Sequence, residues 1–180
     1  MSRKVTVASD WLAGCAGCHM SLLDIDERIV NLLQVATLTA TPITDLKHPA
    51  EEGVDVGILE GAVNNSAGEE VARRMRERCK ILVALGDCAV FGGIPTMRNR
   101  VCRSEALKRA YIDSESTVDG RIPDDPALAK MQDARPLDAV VPVDVHLPGC
   151  PPPADAIFHV LASLVEGKKP ELSGKLLDWH

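Results

Sequence analysis

Six cysteines, Cys15, Cys18, Cys79, Cys88, Cys102 and Cys150, are the residues of this chain best suited to chemistry. In a reducing compartment, thiols serve as metal ligands or as small core residues more often than as disulfides. Cys15 and Cys18 form a C-x-x-C pair, which is weak evidence alone because zinc and iron–sulfur sites share that spacing. Cys88 and Cys150 stand apart in sequence. Each follows an apolar run by three residues, 81–85 in one case and 140–147 in the other. If those runs are strands of one parallel sheet, the thiols leave it at the same edge.

The elements that would have to position them can be read from periodicity. In 4–9, Val5, Val7 and Ser9 share one face of a strand, whereas 18–33 carries Leu22, Ile25, Ile29 and Leu32 at helical spacing, with Asp24, Asp26 and Arg28 opposite. Residues 35–43 are β-branched and Thr-rich. Residues 54–59 form a stronger strand that ends at Glu60-Gly61, and Ser66-Ala67-Gly68-Glu69 reads as a capping box for a helix continued by Val71 and Met75. The run 81–85 suits a strand buried on both faces, and 101–111 is helical. Residues 114–136, with Gly120, Pro123, Pro126 and Pro136, are too polar to bury a core. They are expected to be an excursion from a single domain spanning 1–180, with a helical turn or two in 126–132. A last strand, 140–147, leads through Pro151-Pro152-Pro153 into a helix with Ala154, Ile157, Leu161 and Leu164 on one face and Gly167 as its cap. The terminal patch Leu176-Leu177-Asp178-Trp179 is expected to dock on its own domain. Strand alternating with helix predicts an α/β fold: an open, mostly parallel sheet with helices on both faces and ligands bound beyond the carboxyl ends of the strands.

In that fold Cys15, Cys18, Cys88 and Cys150 converge on one rim. Cys79 precedes its strand and Cys102 lies in or near a helix, so both read as small buried hydrophobes. Four converging thiols suit a [4Fe-4S] cluster or a four-thiolate zinc site. The surroundings favour the cluster. Glycines flank the ligands, which lets main chain approach a bulky anion, and helices are expected to begin near Cys18 and just after Cys150. Cys150-Pro151 matches the Cys-Pro close of many cluster motifs. A structural zinc more often staples a chain without a core of its own. Glu60 falls on the same rim, either as a solvated or capping carboxylate or as a group lining the cavity and helping to move protons. Asp87 reads as a hydrogen-bonding residue of the cluster loop, His19 as an exposed or interface histidine, and His146 as a satisfied core or rim imidazole. Arg98 and Arg100 read as solvated surface residues.

Composition narrows the function classes. Of 180 residues, 46% are apolar and 26% charged, with a net charge of −6, which suits a soluble globular protein and not a basic nucleic-acid surface. Trp11, Phe91, Tyr111, Phe158 and Trp179 are the only aromatics, too few to stack single-stranded bases. No apolar run approaches the length of a membrane span. The start lacks the apolar core and cleavage site of a secretory signal, so a cytoplasmic location is expected.

With the motifs in place a resemblance emerges. The segment from Trp11-Leu12-Ala13-Gly14-Cys15-Ala16-Gly17-Cys18 through His19-Met20-Ser21-Leu22-Leu23-Asp24 resembles the N-terminal cluster motif of [NiFe]-hydrogenase small subunits. Glu60-Gly61-Ala62-Val63, Gly86-Asp87-Cys88-Ala89 with Phe91-Gly92-Gly93-Ile94-Pro95, and Leu147-Pro148-Gly149-Cys150-Pro151-Pro152 resemble the later motifs of the family, in order. The His-Met-Ser-Leu-Leu-Asp form is most similar to the small subunits of soluble NAD-reducing (bidirectional) hydrogenases. The resemblance implies a flavodoxin-like fold and one [4Fe-4S] cluster on Cys15, Cys18, Cys88 and Cys150. It also implies a large partner subunit with the Ni-Fe site, and diaphorase partners carrying further clusters, FMN and the NAD site. Such a complex converts H2 and NAD+ to NADH and H+, with the active site outside this chain. Periplasmic small subunits carry a twin-arginine leader and a region with two further clusters; this sequence departs from that pattern, so one cluster only is expected, and Met20-Ser21 replaces the Glu-Ser often found in membrane-bound types. The 20-kDa subunit of respiratory complex I is a relative, but it typically has adjacent cysteines where this chain has Gly14-Cys15. FMN in this chain is not expected, because the loop 9–15 lacks a Ser/Thr-rich phosphate cradle.

Overall fold

The computed structural model describes residues 3–47 and 49–177. Two apolar layers sandwich a five-stranded, all-parallel sheet. Its strands are β1 (Val5–Trp11), β2 (Ala36–Ala40), β3 (Val54–Glu60), β5 (Cys79–Leu85) and β7 (Val145–Leu147), in the spatial order β2-β1-β3-β5-β7. A separate antiparallel pair joins β4 (Val63–Asn65) to β6 (Met131–Arg135). Leaving that pair aside, the order is that of a flavodoxin-like fold, reversing direction between β1 and β3.

Alternation along the strands decides which layer each residue enters. Leu82 and Ala84 of β5, with Leu59 of β3, pack with Met75 and Ala72 of helix α3 (Ser66–Arg78) and with Ala89 of the short helix α4 (Asp87–Phe91). Val83 and Leu85, with Ile58, pack with Ile25 and with Ile157 and Val160 of helix α6 (Ala154–Val165). Helices α1 (Gly17–Leu23) and α2 (Arg28–Val35) lie near α6, so both faces are covered as expected. Helix α5 (Arg103–Tyr111) contacts β6 and buries no residue fully.

Several boundaries differ from expectation, each for a local reason. The helix expected over 18–33 is two, α1 and α2, broken where Asp26 takes a left-handed conformation (φ +57) and Ile25 plugs the core. Helix α3 is capped by Asn65, whose side chain accepts from the Gly68 N–H at 2.7 Å. Ser66 instead bonds Lys130, and Glu69 pairs with Arg73 and Arg135. The polar excursion 114–136 ends in strand β6, because Asn99 exchanges two hydrogen bonds with Ala134 and Arg98 donates to the Gln132 carbonyl. Arg98 thus straps the excursion, and Arg100 is exposed. No helix forms over 126–132. The last strand is only Val145–Leu147. Leu176 packs on the core as expected of the terminal patch, while Asp178 and Trp179 lie outside the described residues. No described helix is long and apolar enough to cross a membrane.

At the amino ends of the strands, Asp55 accepts from the Thr6 N–H and hydroxyl, the Lys80 ammonium and the Arg3 guanidinium. Burial by itself would raise the Asp55 carboxyl, but the bonds from Lys80, Thr6 and Arg3 outweigh it and hold the group well below the ordinary carboxylate range. A depressed folded pKa stabilises the protein above the unfolded value of about 3.9 and ceases to do so as pH falls. Asp55→Asn is therefore expected to lower stability at pH 7, with the deficit against the parent shrinking below about pH 4. Urea unfolding at both pH values checks this, and a deficit that does not depend on pH would contradict it.

Candidate iron–sulfur site

In the sheet register Trp11 lies beside Glu60, Glu60 beside Leu85, and Leu85 beside Leu147. The loops that follow Trp11, Leu85 and Leu147 carry the thiols, and the loop after Glu60 lines the same cavity. They are also bonded to one another. Ala13 and Ala62 form an antiparallel bridge, with N–H to carbonyl distances of 2.9 and 2.8 Å, joining the loops after β1 and β3. The Asp87 N–H donates to the Gly149 carbonyl at 2.8 Å, and the Asp87 carboxylate accepts from the Gly149 N–H at 2.7 Å, joining the loops after β5 and β7. Asp87 has the structural part expected of it.

Cys15, Cys18, Cys88 and Cys150 line a single cavity of about 60 Å³ with Glu60 and Asp87, several times the space one water needs. Backbone without side chains surrounds the thiols. A Cβ on Gly86 (φ +82) would lie 2.3 Å from Cys18 Sγ, and one on Gly93 (φ +48) would lie 2.9 Å from Cys88 Sγ. The Ile94 N–H is directed at the Cys88 thiol. Burial pushes the Cys18 thiol up, and Glu60 and the other three cysteines add to the effect. Burial likewise raises Cys88. Four thiolates this close to each other and to a carboxylate repel, so the set calls for a cationic centre to hold it together. Among the described residues no three His, Cys, Asp or Glu side chains are arranged to hold one metal ion. The four-thiolate donor set fits an iron–sulfur centre.

Cys79 is buried at the start of β5, at the opposite edge, as expected. Cys102 is exposed ahead of α5 instead of packed, because α5 buries no residue fully. His146 is exposed on the rim, 3.7 Å from Asp138.

His19 is a correction: it is fully buried, not exposed. Its backbone N–H donates to Glu60 Oε2 at 2.7 Å, its Nδ1 lies 2.6 Å from the same oxygen, and its Nε2 lies 3.0 Å from Ser9 Oγ. With Glu60 a carboxylate, which only accepts, Nδ1 carries the proton between them, and Nε2 shares a hydrogen bond with the Ser9 hydroxyl. These atoms have the connectivity of a nucleophilic triad. Ser9, however, sits in β1 at 3% exposure, and the cavity reaches Glu60 and not Ser9, so no substrate carbonyl can approach. Of the two readings of Glu60, the solvated one is excluded by its 1% exposure. One sequence signal for this network existed: Ser9 is a hydroxyl on an otherwise apolar strand face.

The family model for the NADH ubiquinone oxidoreductase 20 Kd subunit matches residues 15–164. The chain is 39% identical over 177 residues to the NAD-reducing hydrogenase HoxS subunit delta of Cupriavidus necator, covering 96% of this chain and 84% of that one. The chain belongs to the 20 Kd subunit family, in its hydrogenase small-subunit form. Another member, from the F420-non-reducing hydrogenase of Methanothermobacter marburgensis, is 35% identical over 175 residues. That match takes in 96% of this chain but 57% of the relative, so the chain spans little more than half the length of that protein. A solved NAD+-reducing [NiFe]-hydrogenase in the H2-reduced state superposes with a TM-score of 0.93 at 36% identity, covering 99% of this chain and all of that one. The recombinant [NiFeSe] hydrogenase of Desulfovibrio vulgaris Hildenborough, at 19% identity and a TM-score of 0.61, shares the fold over 92% of this chain and 60% of its own.

For this family member, Asp87→Ala removes the acceptor for a buried loop N–H and is expected to cost about 1–3 kcal/mol. Iron content per chain should fall with it, because the Cys88 and Cys150 loops lose their tie. Asp87→Asn, which keeps an accepting oxygen, should fall less in both. Chemical unfolding and iron analysis check the ranking, and equal losses would contradict it.

Proposed function

We propose that this chain is the electron-transfer subunit of a soluble NAD-reducing [NiFe]-hydrogenase, with one [4Fe-4S] cluster on Cys15, Cys18, Cys88 and Cys150. The observation that carries the reading is the meeting of those four thiols around one cavity at the carboxyl edge of the sheet. The end-to-end match with a NAD+-reducing [NiFe]-hydrogenase chain supports it. In this reading residues 1–180 make up one iron–sulfur domain located in the cytoplasm. The cluster, when bound, relays single electrons between the Ni-Fe site of a large subunit and the iron–sulfur and flavin subunits that reduce NAD.

The chain's own residues supply ligation, distance and water exclusion. Cys15 and Cys150 are exposed, so one side of the cavity opens to the surface. Apolar side chains are exposed on the cysteine-bearing segments: Trp11 at the end of β1, Phe91 (62% exposed) at the end of α4, and Ile94 (69% exposed) just beyond it. An exposed apolar group of this kind marks a partner surface. The large subunit is the partner this reading places there, burying the cavity mouth.

Cys→Ser at any of the four positions is expected to abolish the cluster's EPR signal and H2-dependent NAD reduction in the anaerobically purified complex. Cys79→Ala and Cys102→Ala are expected to retain the signal. Full activity in Cys88→Ser, or loss of the cluster in Cys102→Ala alone, would refute the ligand set. Iron, sulfide, nickel and flavin analysis of the co-purifying chains tests the partners. A membrane-arm partner without nickel would point to a complex-I-type connector.

A further inference from the structure

Glu60 is held in the cavity wall by groups that ligate nothing. Its Oε2 accepts from both the backbone N–H and the Nδ1 of His19, and the far ring nitrogen is anchored by the Ser9 hydroxyl. The edge of Trp11 packs against the His19 ring, with centroids 5.7 Å apart and planes at 76°. All of His19, Glu60 and Ser9 lie within 3% exposure. The second carboxylate oxygen, Oε1, faces the loop of the first two ligands: a Cβ on Gly14 would lie 3.8 Å from it.

A buried carboxylate persists only if its hydrogen bonds are made. Near a redox centre in a low-dielectric wall, its charge opposes the arrival of an electron, and solvent screens it little. His19 follows Cys18 directly, so ligand loop and carboxylate are tied into one unit. We propose that His19, anchored by Ser9, is a positioning residue that keeps the Glu60 carboxylate against the cluster cavity and thereby lowers the potential at which the cluster accepts an electron. This rests on the cluster assignment above. Neither His19 nor Ser9 touches a reacting atom; both act through Glu60.

The test is an EPR-monitored redox titration of the anaerobic complex. Glu60→Gln is expected to shift the reduced-to-oxidised ratio at the parent midpoint by roughly tenfold toward reduced, a rise of 59 mV for a one-electron couple. His19→Phe, which keeps the ring but removes both nitrogens, is expected to raise the midpoint in the same direction. His19→Asn, which retains a donor at the Nδ1 position, is expected to stay near the parent. Because His19 acts through Glu60, the His19→Phe, Glu60→Gln double variant should match Glu60→Gln alone. A His19→Phe midpoint equal to the parent, or a shift that adds to that of Glu60→Gln, would overturn the positioning role while leaving the cluster assignment intact. If His19→Phe takes up no iron, Ser9→Ala decides: a raised midpoint supports the role and an unchanged one overturns it. A parent complex with no cluster signal would overturn the assignment and this proposal together.

Discussion

Parallel hydrogen bonding in register aligns Trp11, Glu60, Leu85 and Leu147 in one row across four strands. Each strand ends near that row, and each following loop turns into the same space. Helices on both faces make such a sheet possible, because a parallel sheet must be covered on both sides and its crossovers supply the cover. The reversal of strand order between β1 and β3 opens the crevice that this class of fold uses for ligands. Here the crevice is lined by thiols, with Cys15 and Cys18 leaving β1 and Glu60 closing β3.

Register alone would leave the loops loose. Two sets of bonds make them one rim: the Ala13–Ala62 bridge and the paired bonds between Asp87 and Gly149. Each ties loops far apart in the chain. A buried polar network is costly unless every member is satisfied. The Ser9–His19–Glu60 line meets that condition, and so a carboxylate sits at 1% exposure beside four thiols. Glycine completes the fit where a side chain would collide with a sulfur, as at Gly86.

Much of the fold was legible because parallel strands leave a strong trace. The run 81–85 is apolar on both faces, 54–59 is apolar but for Asp55, and helix α3 between them carries a one-sided stripe. The parallel direction of the strands also let Cys88 and Cys150 be assigned to one edge, because loops that follow parallel strands leave the sheet on the same side. Boundaries were less legible where tertiary bonds compete with local pattern. Helix α1 stops because Ile25 is drawn into the core, and Asn65 takes the cap from Ser66 because Ser66 is bonded to Lys130. Strand β6 was hidden in the polar excursion, since its partners are β4 and the side chain of Asn99, neither of which leaves a mark in the local sequence. Cys102 shows the opposite error: thiols are usually buried, but α5 offers this one nothing to be buried against.

The sequence by itself determined the alternation of strand and helix, the four thiols at strand ends, and the family to which those motifs belong. These depend on period, spacing and residue type, which are local properties. Tertiary structure decided the rest: that His19 turns inward to Ser9 and Glu60, that Asp87 ties two cysteine loops, and that apolar side chains on the cysteine-bearing segments stand exposed. A side chain's partner across 10 or 41 or 62 positions of sequence is set by strand order and register, and no local pattern encodes it.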